Sequence, residues 1–168
     1  AWRASTGHGT PGTANSARAS DPAPVIVGVE HAPVVPAPVE DVLVTASITD
    51  ERAITSATLF WRADGAGGNP AQLAMADDGL NDDGVASNGV YGARIPARPD
   101  RTIVLFWIQA TAQGGQTVTA PANAPSPSFL YQVESTGPDQ IRPMYRVIMT
   151  GANLQSLRTR GAGSNVLL

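Results

Sequence analysis

Apolar and polar residues alternate along much of this chain with a period of two, which is typical of half-buried β-strands. From Val42 to Ile48 every second residue is apolar, and the positions opposite include Thr45, Ser47 and Thr49. The same reasoning predicts further strands over 25–30, 56–62, 71–75, 90–95, 102–111, 116–120 and 129–134.

The segment 102–111 differs from the others because both of its faces are apolar at the centre. Such a strand is expected in the middle of a sheet that is covered on both sides. The chain also has 17 glycines and 14 prolines, which favour frequent turns. Seven or eight short strands separated by such turns predict an all-β, immunoglobulin/fibronectin type III-like sandwich over residues 22–135.

The two flanks lack this alternation. Residues 1–21 are small, polar and turn-rich, so we interpret them as a tail or linker. Within 136–168 the pattern predicts a strand over 143–149 and a helix over 152–158, with Thr150 as its N-cap. We expect this last part to be the start of a second, incomplete domain.

Composition narrows the classes of function. The net charge is −3, and all 11 basic residues are arginines dispersed along the chain, so no basic stripe for nucleic acid is predicted. The absence of cysteine rules out disulfides and thiolate metal sites. The longest apolar run, 103–108, is far shorter than the ~20 residues of a membrane-spanning helix. The beginning of the sequence has no apolar core of a signal peptide, and we expect the chain to be part of a longer protein.

The main candidate chemistry lies in a repeat of five residues whose glycines fall at positions 79, 84 and 89. Four of the 14 acidic residues lie between positions 77 and 83. Carboxylate and amide oxygens are ligands for hard cations, and the glycines allow carbonyl groups to turn inward. The repeat therefore predicts a candidate calcium site at Asp77, Asp78, Asp82, Asp83 and Asn88.

A second interpretation of the same repeat needs no metal. Asp and Asn side chains accept hydrogen bonds from backbone amides in Asx turns, and glycine supplies the positive φ angles. The spacing also departs from the twelve-residue calcium loop, since no Glu closes it and no helix flanks it. The sequence leaves both interpretations open.

No catalytic residue is predicted. Trp61 and Trp107 lie on alternating strands and are expected in the core, with a sugar-stacking platform as the alternative. His8 and His31 lie in Gly- or Pro-rich surroundings and are expected at the surface. The chain contains no Gly-x-Ser-x-Gly motif for a nucleophilic serine.

Three segments resemble known families. Trp2-Arg3-Ala4-Ser5 and the stretch 9–15 resemble the end of a lamin-tail domain. The stretches 75–79 and 88–96 resemble the Ig-like spacer domain of large exported bacterial proteins, in which the position of Asn88 often carries Asp. The stretches 144–150, 152–154 and 164–165 resemble the opening of a CotH domain, the spore-coat protein H family of atypical kinases.

These resemblances imply a non-catalytic spacer or interaction module on an exported, extracellular or cell-surface bacterial protein. The nucleotide-binding residues of the CotH family lie beyond the matched segment, so none is transferred to this chain. The implied partners are neighbouring domains of the same chain and a cell-surface protein or glycan. The alternatives are a carbohydrate- or protein-binding sandwich and a fragment of a CotH-type kinase.

Overall fold

A computed structural model describes residues 21–80, 82–136 and 147–160 of the 168-residue chain. Within them eight strands and one short helix follow one another along the chain. They are β1 (Val25–Ala32), β2 (Val42–Thr49), β3 (Ile54–Ala63), β4 (Ala71–Ala74), β5 (Val90–Ile95), β6 (Ile103–Ala112), β7 (Thr117–Ala120), β8 (Phe129–Gln132) and α1 (Gly151–Thr159).

The strands form two antiparallel sheets. The first has the order β1-β2-β5, and the second has the order β4-β3-β6-β7. β8 lies on the same edge of β6 as β7, because β7 pairs with residues 108–111 and β8 with residues 103–106. This arrangement confirms the predicted all-β sandwich of seven to eight strands, and its immunoglobulin/fibronectin type III-like character stays a prediction.

The core lies between the two sheets and follows the alternation seen in the sequence. On β2 the even-numbered residues from Val42 to Ile48 are at most 2% exposed, and their neighbours face outward. On β6 the inward residues are Val104, Phe106, Ile108 and Ala110. Burial of these apolar side chains is the main favourable contribution to the stability of such a fold.

The sandwich has two ends, which we call lower and upper. At the lower end β2 and β6 finish and β5 begins, as shown by the pairs Ser47↔Val90 and Thr111↔Thr117. At the upper end β3 finishes and β6 begins, next to the last residues of β8. The acidic repeat therefore lies at the lower end.

The two flanking predictions have different outcomes. The helix is confirmed, because Thr150 caps α1 by accepting a hydrogen bond from the Asn153 amide at 3.2 Å. The predicted strand over 143–149 is wrong in its described part, since 147–149 pairs with no described strand and Val147 is 80% exposed. Residues 143–146 and positions 1–20 of the predicted tail 1–21 lie outside the described residues.

Candidate functional site

The acidic loop, residues 77–89, is organised by the carboxylate of Asp77. One of its oxygens accepts a hydrogen bond from the Asn88 amide at 3.1 Å, and the other accepts one from the Gly89 amide at 2.8 Å. The backbone carbonyl of Asp77 also accepts from the Ser87 amide at 3.2 Å. Asp77, at the start of the loop, thus binds the backbone amides at the end of the loop.

Asp83 holds the loop together from the inside and is only 3% exposed. Its Oδ2 accepts hydrogen bonds from the amides of Asp78 at 3.0 Å and Gly79 at 3.3 Å. Its backbone carbonyl accepts from the Asn88 side-chain amide at 3.3 Å. The other carboxylate oxygen, Oδ1, is buried without a hydrogen-bond partner among the described residues.

Two local Asx turns complete the loop. Asp78 Oδ1 accepts from the Leu80 amide at 3.0 Å, and Asn88 Oδ1 accepts from the Val90 amide at 2.8 Å. Each bond spans two residues, the pattern that the metal-free interpretation of the repeat predicts. The Asp and Asn side chains therefore act as acceptors for the backbone of their own loop.

One glycine of the repeat is required for conformation and for space. Gly84 has a φ of +99°, a region that side-chain-bearing residues rarely adopt. A Cβ atom at this position would lie 2.7 Å from Nδ2 of Asn88. Any larger residue would disturb the Asn88 amide that binds the Asp83 carbonyl.

The predicted calcium ligands are thus close in sequence but have different partners. In contrast to the buried Asp83, the side chain of Asp82 is 75% exposed and forms an ion pair with Arg94 of β5. Among the described residues, no group of three or more His, Asp or Glu side chains could hold a metal ion. Calcium binding at Asp77, Asp78, Asp82, Asp83 and Asn88 stays a prediction.

The loop also affects the neighbouring tyrosine. The pKa of Tyr91 is raised, first by burial and second by the negative charge of Asp77. Both effects disfavour the phenolate, so the neutral hydroxyl is the stable form at physiological pH.

A second group of polar side chains lies among the aromatic rings of the core. His31 was expected at the surface, but its ring stacks on Tyr131 with centroids 5.4 Å apart and meets the edge of Phe106 at 6.0 Å. That expectation rested on the neighbouring prolines alone and was wrong. His31 pairs with Val44 of β2, whose side chain is buried, and paired residues share a face, so His31 also faces inward. Arg98 lies over the ring of Trp61 at 4.6 Å.

We call His31, Trp61, Tyr131 and Arg98 the aromatic group. Three of its buried polar atoms have no hydrogen-bond partner in the described parts of the chain: Nε2 of His31, Nε1 of Trp61 and the hydroxyl of Tyr131. Burial raises the pKa of Tyr131 far above its ordinary value, although the positive charge of Arg98 acts in the opposite direction. Sequence reasoning missed this group because its members come from three strands and one loop, with no local motif.

Trp61 and Trp107 are both buried, as predicted, but in different places. Trp61 is 9% exposed and belongs to the core between the sheets. Trp107 is 6% exposed and lies on the outer face of the five-stranded sheet, where it stacks on Phe60 with centroids 5.4 Å apart. Alternation could not decide between the two faces of β6, because both are apolar.

No protein-family model matches the chain, and no curated protein matches it significantly. Among residues 21–80, 82–136 and 147–160, no helix has the length and apolar character needed to cross a membrane.

Proposed function

We propose that the chain is a non-catalytic spacer module of an exported bacterial multidomain protein, whose parent carries a CotH-like domain. The lamin-tail and CotH resemblances at the two flanks support this order of domains. The observation that carries the proposal is where the described chain enters the sandwich, at residue 21, and where it leaves, at residues 134–136.

The chain enters the sandwich at its lower end and leaves at its upper end. At the entry, Asp21 forms an ion pair with Arg52 at 3.1 Å. At the exit, the Glu134 amide donates to the Pro36 carbonyl at 2.9 Å, and the Ser135 amide donates to Asp100 at 2.7 Å. A ten-residue strand such as β6 is about 30 Å long, so the module would hold its neighbours about 30 Å apart.

A distance measurement tests this role. The chain has no cysteine, so Ala23→Cys and Thr136→Cys introduce two unique sites for spin labels at exposed positions. Pulsed electron paramagnetic resonance should give one narrow distribution near about 30 Å. A broad distribution, or one centred well below that distance, would show that the module does not set the spacing.

The first alternative, a carbohydrate- or protein-binding module, requires an exposed aromatic or apolar patch. The burial of Trp61 and Trp107 argues against them as a platform. Acrylamide quenching of a Trp2→Phe variant, which removes the remaining tryptophan, should show two poorly accessible tryptophans. Efficient quenching that a glycan suppresses would favour the binding module.

The second alternative, a fragment of a CotH-type kinase, requires a phosphate-binding site with metal-binding acids. We expect Mg·ATP to leave the melting temperature unchanged. A reproducible increase with Mg·ATP, absent with magnesium alone, would favour the kinase fragment over the spacer.

A further inference from the structure

The outer face of the five-stranded sheet carries a cavity of about 400 Å³ that the spacer role does not use. Residues 125–128 form one wall, and the start of α1 forms another. The helix is attached here by a 2.6 Å hydrogen bond from the Gly151 amide to Oδ2 of Asp64. The volume of the cavity lies within the usual range for small-molecule sites.

The floor of this cavity is one row of residues across three neighbouring strands. Arg62 of β3 pairs with Leu105 of β6, and Leu105 pairs with Leu130 of β8. Paired residues on adjacent strands share a face and are about 5 Å apart. The cavity therefore offers a cation at one side and an apolar surface extending about 10 Å from it.

The polar groups of the cavity divide into two sets. Asp64 is bound to the helix, and the hydroxyls of Thr150 and Ser128 are engaged with the Asn153 amide and the Pro125 carbonyl. In contrast, three polar side chains in the cavity have no hydrogen bond or ion pair among the described residues: Arg62, Ser126 and Asn153.

The guanidinium group of Arg62, which has no partner among the described residues, is suited to one class of ligand. It presents paired N–H donors that match the two oxygens of a carboxylate. Leu105 and Leu130 would contact an apolar stem, while the Ser126 hydroxyl and the Asn153 amide can bind further polar atoms. We propose that this cavity binds a small organic carboxylate on an apolar stem, with Arg62 as the group that recognises the charge.

This site goes beyond the spacer role and does not depend on it. The test uses the full chain labelled with ¹⁵N and titrated with N-acetyl-leucine, which mimics a peptide carboxyl terminus, or with hexanoate, a simple free acid. We expect saturable shifts of backbone amides around residues 62, 126 and 153 for at least one of the two acids. Their relative affinities distinguish a peptide terminus from a free acid.

Two comparisons separate recognition of charge from general apolar contact. N-acetyl-leucinamide keeps the stem but lacks the carboxylate, and it should bind about tenfold more weakly or not at all. Arg62→Gln should weaken binding of the acids by a similar factor, whereas the matched control Arg101→Gln, whose side chain is 87% exposed elsewhere, should leave it unchanged.

The proposal is overturned if the amide binds as well as the acid, if Arg62→Gln keeps the original affinity, or if the shifts lie outside the cavity. If Arg62→Gln does not fold, Arg62→Lys retains the charge but not the paired donors and should still weaken binding measurably. The distance experiment on the spacer role is independent of either result.

Discussion

The acidic loop at the lower end of the sandwich and the aromatic group toward its upper end differ in how most of their polar groups are paired. In the acidic loop at the lower end, most carboxylate and amide oxygens accept hydrogen bonds from amides no more than twelve residues away. In the aromatic group toward the upper end, His31, Trp61 and Tyr131 come from distant segments, and each buries a polar atom that has no partner among the described residues.

The difference shows that hydrogen bonding and apolar packing dominate at different places in one small domain. A buried polar group that finds a partner contributes modestly to stability, whereas one that finds none reduces it. The acidic loop is therefore stabilised mainly by its hydrogen bonds, although Oδ1 of Asp83 has no partner among the described residues. The aromatic group is stabilised by the packing of its rings, which offsets the cost of its unpaired polar atoms. Substitutions that remove a ring from the aromatic group, or a carboxylate from the acidic loop, should show which interaction stabilises each region.

The largest effect is expected for Tyr131→Ala. Tyr131 is 1% exposed and packs against both His31 and Phe106, so its loss leaves a large cavity in the core. Comparable truncations of buried aromatic residues cost about 3–5 kcal/mol of the free energy of unfolding. Urea denaturation followed by circular dichroism measures this loss, and a cost below about 1 kcal/mol would contradict the role of the rings.

Tyr131→Phe is the matched control, since it removes only the hydroxyl. Because this hydroxyl has no partner within the described residues, the variant should be as stable as the original chain or slightly more stable. The raised pKa of Tyr131 also predicts a pH dependence. Its contribution to the free energy of unfolding should be fully present below about pH 10, the pKa of tyrosine in the unfolded chain, and should be lost as the pH rises above that value. The free energy of unfolding should therefore fall less steeply in the Phe variant. A loss of about 1 kcal/mol at neutral pH would indicate a hydrogen bond to a buried water molecule.

The sequence was most informative where the determining contacts are local. The eight strands and the helix cap at Thr150 depend on residues close in the chain and were predicted, whereas the Asx turns were one of two interpretations that the sequence left open. The inward position of His31 and the outer position of Trp107 depend on which strands become neighbours. The partner of Asp82 was also not predictable, because Arg94 lies on a strand outside the loop.

An intermediate effect is expected for Asp77→Ala. The variant leaves the amides of Asn88 and Gly89 without the carboxylate that accepts from both. Two hydrogen bonds to a charged acceptor should be worth about 2–3 kcal/mol in the free energy of unfolding.

Asp82→Ala is the control for Asp77→Ala, since it removes the same charge from the same loop. Its ion pair with Arg94 is largely exposed, and such pairs contribute about 0–1 kcal/mol. Equal losses in the two variants, measured in the same urea titration, would show that net charge matters and that the hydrogen bonds of Asp77 do not.

The smallest effect concerns calcium and the unpartnered Oδ1 of Asp83. A buried carboxylate oxygen without a donor is unfavourable unless water or a cation lies beside it. If calcium binds the loop with a Kd of about 1 mM, about 10 mM calcium should stabilise the fold by about 1.4 kcal/mol and raise the melting temperature by a few degrees. The comparison is between calcium and chelator within each variant, so that any loss of basal stability cancels.

Asp83→Asn should abolish this increase, whereas Asp82→Asn should keep most of it, because Asp82 is bound to Arg94 at the surface. If calcium has no effect on the unsubstituted chain, the loop is a set of Asx turns alone. The lower end would then resemble the aromatic group in one respect, with a buried polar atom whose cost is offset by the packing and hydrogen bonds around it.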